Sequence, residues 1–233
     1  MILAQYQDIP IHNRDAEFDP RDAESIVGGL SAPSKMPAYG TSLDARRCVV
    51  GTTLRKVKGS TCGDCYACKG RYTFPNVRDA MERRFVALRD PRWTAAMAYI
   101  IGKKCRKVPF FRWHDSGDLQ SVSHLRNIAA VASLTPEVRH WLPTREYGIV
   151  RRYLAEYGAF PPNLTVRVSA AMKDAPAPAD FPLTSEVATD TGAMEASEAR
   201  GASRCPAPTQ GNNCGDCRNC WDPEVRIVTY FAH

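Results

Sequence analysis

Two seven-residue words, "CGDCYAC" at 62–68 and "CGDCRNC" at 214–220, each place three cysteines at two-residue gaps. Thiolates spaced so closely turn onto one face of a short loop, as ligands of a small soft metal centre do. Each word has one further cysteine upstream: Cys48 before Cys62, Cys65 and Cys68, and Cys205 before Cys214, Cys217 and Cys220. Eight of the nine cysteines thus fall into two sets of four, and Cys105 stands alone. Four thiolates satisfy either a tetrahedral zinc ion or a 4Fe-4S cubane. Zinc modules more often divide their ligands into two CxxC pairs on separate knuckles. Three sulfurs from one loop resemble a ferredoxin run, so the spacing favours iron–sulfur over zinc. Gly63 and Gly215 permit the tight turns that aim amide N–H groups at sulfur, and Pro206 directly follows Cys205. Two assignments stay open: which of Cys48 and Cys68 is a ligand, and whether a mixed set such as Cys62, Cys65, Cys214 and Cys217 holds one metal. Cys105, between Lys104 and Arg106, reads as a buried or incidental thiol.

These loops need a body to hold them. At 233 residues, 44% hydrophobic and 24% charged, the chain has the make-up of an ordinary globular protein with one sizeable core. The expectation is a single domain over 1–233. It comprises an extended arm at 1–47, a cluster loop with βα units at 48–170, and a C-terminal extension with the second cysteine set at 171–233. The N-terminus lacks a basic region followed by an apolar run, and no stretch approaches ~18 consecutive apolar residues. A cytoplasmic protein is expected, with no membrane association. An odd number of cysteines in a reducing compartment argues against a disulfide framework. The net charge is +6, densest at Lys103, Lys104, Arg106 and Lys107. That run reads as a solvated helix end, since a nucleic-acid footprint needs a broader basic face.

Periodicity supplies the elements. "NVRDAMERRFVALRD" starts a helix with Asn76 as cap and Ala80, Phe85, Val86 and Leu88 toward a core. "PRWTAAMAYIIGKKC" is a second helix, with Pro91 in its first turn. Then strands at 108–114, 138–144 and 164–170 alternate with helices at 121–134 and 145–158. A further strand is expected within "SEVAT" and another at 225–231. Strands separated by such helices make βα units, hence an α/β fold with a parallel sheet or partial (β/α) barrel.

Parallel architectures gather reactive groups where the chain leaves the carboxyl ends of the strands. Those exits carry His114, Asp115, Ser116, Gly117 and Asp118; then Thr144, Arg145 and Glu146; then Ser169, with Arg167 two residues earlier on the same face. The expected catalytic groups are His114, Asp115, Asp118, Arg145 and Glu146. Arg112, Ser116, Gly117, Arg167 and Ser169 are expected to bind cofactor. Arginine forks suit carboxylate or phosphate, and Asp118 suits a ribose hydroxyl or an ammonium. Each has a plainer structural reading: His114 packed beside Trp113, Asp115 a cap, Arg145 and Glu146 a surface pair at a helix start.

The stretches "SAPSKMPAYGTS", "GSTCGDCYACKGRYTFPNV", "FRWHDSGDLQS", "WLPTREY" and "CGDCRNCWDPEV" together resemble the gene-product-88 family of actinobacterial phages. The family name brings no activity with it. More distantly, "CGDCYA" followed by a βα unit that exits into "SGDL" is similar to phage radical S-adenosylmethionine-like proteins. That resemblance implies a partial barrel carrying an N-terminal 4Fe-4S cluster, with three cysteine ligands and an open iron that takes S-adenosylmethionine. An electron from the cluster then cleaves the sulfonium to a 5′-deoxyadenosyl radical. The second cysteine word would fill the place of a four-thiolate auxiliary cluster. The superfamily spacing is C-x3-C-x2-C, whereas this chain reads C-x2-C-x2-C and has no GGE-like stretch; Gly117-Asp118 stands where one could substitute. The implied function is an iron–sulfur protein acting on a small molecule, nucleotide or nucleic-acid-related substrate by radical chemistry. The alternatives are a redox or non-catalytic iron–sulfur protein that engages a host partner, and a zinc-held nucleic-acid-binding surface.

Overall fold

The computed structural model describes residues 18–232. The chain forms α1 (Pro20–Ile26), β1 (Tyr39–Gly40), α2 (Val49–Leu54), α3 (Pro75–Ala87), α4 (Trp93–Lys104), β2 (Phe110–Arg112) and α5 (Val122–Leu134). It continues through β3 (Arg139–Thr144), α6 (Tyr147–Tyr157), β4 (Leu164–Ser169), β5 (Thr184–Ala188), α7 (Thr191–Glu198), β6 (Ala202–Arg204) and β7 (Ile227–Phe231). One seven-stranded sheet runs in the order β1-β2-β3-β4-β5-β7-β6, and every neighbouring pair is parallel. The sheet is open, with β1 and β6 at its edges.

That order has a consequence for the two faces. Right-handed crossovers between strands taken in sequence keep returning their helices to the same side. Accordingly α1 packs on α4, α4 on α5 and α5 on α6, in one layer. Side chains alternate across the pleat, and the register sends Phe111, Leu142, Val166 and Val168 into that layer. They meet Ile101, Leu125, Ile128 and Val131 there, all nearly or wholly buried. The intervening positions, Arg112, Trp141, Thr165, Arg167, Ser169 and Tyr230, face the other side. No helix of this layer covers them; the cysteine-bearing segment between β6 and β7 does. Thr165 Oγ1 donates to Trp221 O at 2.9 Å, and Trp221 Nε1 donates to Phe111 O at 2.9 Å. The Trp221 ring packs against Trp141 and Phe110.

Several expectations shift. The helix expected at Asn76 starts at Pro75 behind Phe74, without a side-chain cap, and it buries Met81, Arg84 and Ala87. Val86 is 54% exposed rather than in the core. The rotation follows from Arg84, whose guanidinium donates to Gly29 O, Leu30 O and Ser42 Oγ and ties the segment at 29–42 to the body. Within the arm expected to be extended and packed on the body, Pro20–Ile26 is helical; residues 1–17 lie outside the described residues. Pro91 sits in the turn ahead of α4, which begins at Trp93. Two helices had no periodic signal. In α2, "VVGTTL" is rich in β-branched residues with a central glycine, a poor local helix former. It is held from outside: Glu146 Oε1 accepts from Val49 N and Val50 N, both at 3.0 Å. In α7, the Asp190 side chain accepts from Ala193 N and caps the helix.

Candidate functional site

The first cysteine group lies at the strand exits. Thr61 N donates to Ala171 O, and Thr61 Oγ1 reaches Ala170 O and Ala171 O, so the loop is seated where the chain leaves β4. Cys48 opens α2 and is placed by the Glu146 carboxylate beyond β3. A Cβ built on Gly51 would stand 2.9 Å from Cys48 Cβ, 3.6 Å from Cys62 Sγ and 3.7 Å from Cys48 Sγ. Glycine at 51 thus keeps a space between two sulfurs that any other side chain would fill. Cys65 is the hub of the group. Its charge acts on Cys48, Cys62 and Cys68, and its carbonyl accepts from Cys68 N at 3.0 Å. Burial pushes the Cys48 thiol up, and the Asp118, Cys65 and Cys62 charges push it further. Cys62 is raised by burial, against which Arg145 acts. A bound cation would reverse these shifts, because coordination deprotonates the thiol.

The second group is assembled on the sheet face. Cys205 leaves β6 with its N–H on Thr229 O, and Cys214 N donates to Lys35 O. Cys220 Sγ lies 3.2 Å from Tyr230 Oη, and burial pushes its thiol up to about 12. Cys205 and Cys217 each act on Cys214, and Cys205 acts on Cys220. Electrostatic neighbours are found among Cys48, Cys62, Cys65 and Cys68, and among Cys205, Cys214, Cys217 and Cys220. Among the described residues, no three His, Cys, Asp or Glu side chains close around one point as the ligands of a single ion do. Cys105 is 1% exposed, in the helix-layer core, with its thiol up at about 12 by burial.

The strand-exit residues divide by role. Asp118 is fully engaged: Oδ1 accepts from Leu119 N and Thr144 Oγ1, and Oδ2 from Arg145 N at 2.9 Å. It pins the exit of β2 to that of β3, and burial raises its carboxyl in spite of these donors. Ser116 Oγ donates to Leu43 O. Gly117, at φ +79°, lies so close to Leu43 that a Cβ would fall 2.7 Å from that backbone. Arg145 lies beside Cys62, with Nε donating to Ala170 O at 3.1 Å. His114 turns into the helix layer, at φ +55°, with its ring 5.3 Å from that of His124. It lines a cavity of about 10 Å³ with Thr41, Leu43, Arg84 and Trp93, and both its ring nitrogens are buried without a partner. A space of that size holds one water molecule.

Arg167 is wholly buried, and its terminal nitrogens donate to five carbonyls: Thr184, Val225, Arg226, Asn219 and Asp222. Those donors fasten the second cysteine segment to β4, which spends them on the fold. Ser169 Oγ accepts from Ser185 Oγ, and its carbonyl accepts from Tyr147 Oη. Arg112 is the residue shared by the two groups. Its half-buried guanidinium stacks 4.6 Å over Trp141 and interacts with Tyr66, Asp115, Tyr230 and Cys220. Its Nε and Asp115 Oδ1 are buried without partners. Tyr66, which directly follows Cys65, donates from Oη to the Asp115 carbonyl at 2.5 Å. Tyr66 and Tyr230 are the site residues that sequence reasoning passed over, although each stands beside a cysteine in sequence or across the sheet.

The model of the family described as Gene product 88 matches residues 15–223. The chain belongs to that family. The match runs through all eight cysteines of the two words and their upstream partners, and through all seven strands but the last. No curated protein and no solved structure matches the chain. No helix among the described residues is long and apolar enough to cross a membrane.

Proposed function

We propose that this protein holds two 4Fe-4S clusters and that the first serves radical chemistry with S-adenosylmethionine. The space that Gly51 keeps between Cys48 and Cys62, with Cys65 as common neighbour, carries the reading. A cubane needs its thiolates set apart by the body of the cluster, not closed round one ion. On this reading Cys48, Cys62 and Cys65 hold the first cluster, and Cys205, Cys214, Cys217 and Cys220 hold the second. The single-wound sheet is then an opened partial (β/α) barrel of radical-SAM-like build, with the first group at its carboxyl rim. When bound, a cluster with one iron left open by protein thiolates supplies an electron to S-adenosylmethionine. The chain's own residues do the rest. Glu146 fixes Cys48 by capping α2, and Asp118 locks two strand exits under the group. Arg145 sets a cation beside Cys62, and Arg112 with Asp115 offers a buried, unpartnered donor and acceptor near Tyr66 and Cys220.

Anaerobic incubation with reductant and S-adenosylmethionine should release 5′-deoxyadenosine, and Cys65→Ser should abolish the release. Cleavage no greater than that of the Cys65→Ser variant would overturn the catalytic part. One observation favours a second reading, a redox or non-catalytic iron–sulfur protein. Cys68 N donates to Cys65 O at 3.0 Å in the same tight turn, which brings a fourth thiol near enough to close the first cluster. That reading expects an electron paramagnetic resonance spectrum unchanged by S-adenosylmethionine, and a change that persists in Cys68→Ser would exclude it.

A further inference from the structure

The segment 44–92 carries twelve Lys or Arg against five Asp or Glu, an excess larger than the whole chain's net charge of +6. The fold gathers it into one surface. The turn at Ala45–Arg47 packs on α2 and on the turn at Tyr66–Cys68; that turn packs on Gly70–Thr73, which packs on α3. Arg46 and Arg55 both act on Cys68, and Arg78 acts on Asp44 beside it, so the charge rings the first cysteine group. Lys56, Lys58, Lys69, Arg71 and Arg83 are exposed and, among the described residues, enter no ion pair.

The same surface holds apolar side chains that the core leaves out. Six large hydrophobic residues are exposed among the described residues, and five lie here: Val49, Val57, Tyr66, Phe74 and Val86. Tyr66 is 49% and Phe74 53% exposed, and in sequence Tyr66 precedes Lys69 and Phe74 lies between Arg71 and Arg78. A solvated basic face has no use for exposed aromatic rings. A strand of unpaired bases uses both, its phosphates meeting the cations and its bases stacking on the rings. Duplex DNA would use the charge and leave the rings idle, whereas an anionic membrane would use both and is separated by the vesicle arm of the test.

We propose that the basic, aromatic-bearing surface around the first cysteine group binds single-stranded nucleic acid. The inference names the substrate class for the rim where the proposed first cluster sits, and rests on that reading only for the chemistry after binding. Binding itself needs the surface alone.

The test is fluorescence anisotropy with a labelled single-stranded oligonucleotide of about 20 bases, titrated with anaerobically purified full-length protein at several salt concentrations. Affinity should fall steeply with salt. In Lys69→Ala/Arg71→Ala the slope of log K against log salt should shrink by about 1.4, since each phosphate contact on a single strand contributes about 0.7. Phe74→Ala should weaken binding about ten-fold with the slope unchanged, as loss of one stacked base does. Lys103→Ala/Lys104→Ala, an equal loss of charge at the end of α4, should leave binding as it is; a matching loss there would reduce the effect to net charge and overturn the placement. Equal affinity for duplex, preference for anionic vesicles, or no binding at 50 mM salt would also overturn it. Iron content measured on the same samples separates the two proposals: strand binding by iron-free protein keeps this one and removes the other.

Discussion

The two cysteine groups share a spelling and differ in what surrounds them. The first sits among side chains that carry charge: Asp118, Glu146 and Arg145 at the strand exits, and Arg46 and Arg55 around Cys68. The second sits among groups that build the fold: backbone carbonyls clamped by Arg167, the Trp221 ring wedged on Trp141, and Tyr230 against Cys220. Four thiols on a loop become a reactive centre or a fastening according to their bed. A rim of ionisable side chains with room kept by Gly51 suits chemistry. A segment stitched to a sheet face suits structure, and there the centre and the fold stand or fall together.

That contrast orders the experiments. Cys217→Ser should destabilise the protein by several kcal/mol, because a site that exists only in the folded chain contributes its binding free energy to folding. Cys65→Ser should cost much less, and urea unfolding of the two variants would show whether the groups are in truth alike. Arg167→Met removes the donors of five buried carbonyls and should cost about 3 kcal/mol or more, since each orphaned acceptor carries its own desolvation penalty. It should also release iron from the second group while the first keeps its share. Equal loss from both would erase the distinction. Gly117→Ala forces a Cβ against the Leu43 backbone at a positive φ and should cost about 2 kcal/mol. Its damage should fall on the rim and the first group, read as a lower melting temperature with the second group's iron retained. Smallest is Glu146→Ala, which uncaps α2 for about 1 kcal/mol. Though slight for stability, it should loosen Cys48 and speed loss of iron from the first group to a chelator.

The elements from Phe110 to Ser169 were legible because their periods are strong and local: three strands and two helices fall within a few residues of where the pattern puts them. Each CxxCxxC word is a loop short enough to keep its three cysteines near one another without help from the fold, and which upstream cysteine joins each is the point the iron counts test. What was not legible depends on distant partners. Helix α2 exists by virtue of a carboxylate almost a hundred residues away, and no property of "VVGTTL" announces it. Arg167 alternates correctly toward the polar face, so it read as a phosphate fork. Its partners are carbonyls, which leave no trace in a sequence. His114 looked like an acid or base for its place after β2, yet the backbone's turn at φ +55° sends the ring into the helix layer. Tyr66 and Tyr230 were passed over because a phenol next to a thiol carries no spacing rule.

The most direct test of the central claim is a count of iron, acid-labile sulfide and zinc on anaerobically purified protein, for the parent and for Cys65→Ser and Cys217→Ser. Two separate clusters predict about eight irons and eight sulfides per chain, falling to about four of each in either variant. Zinc without sulfide, or a single variant that empties the whole protein, would contradict it.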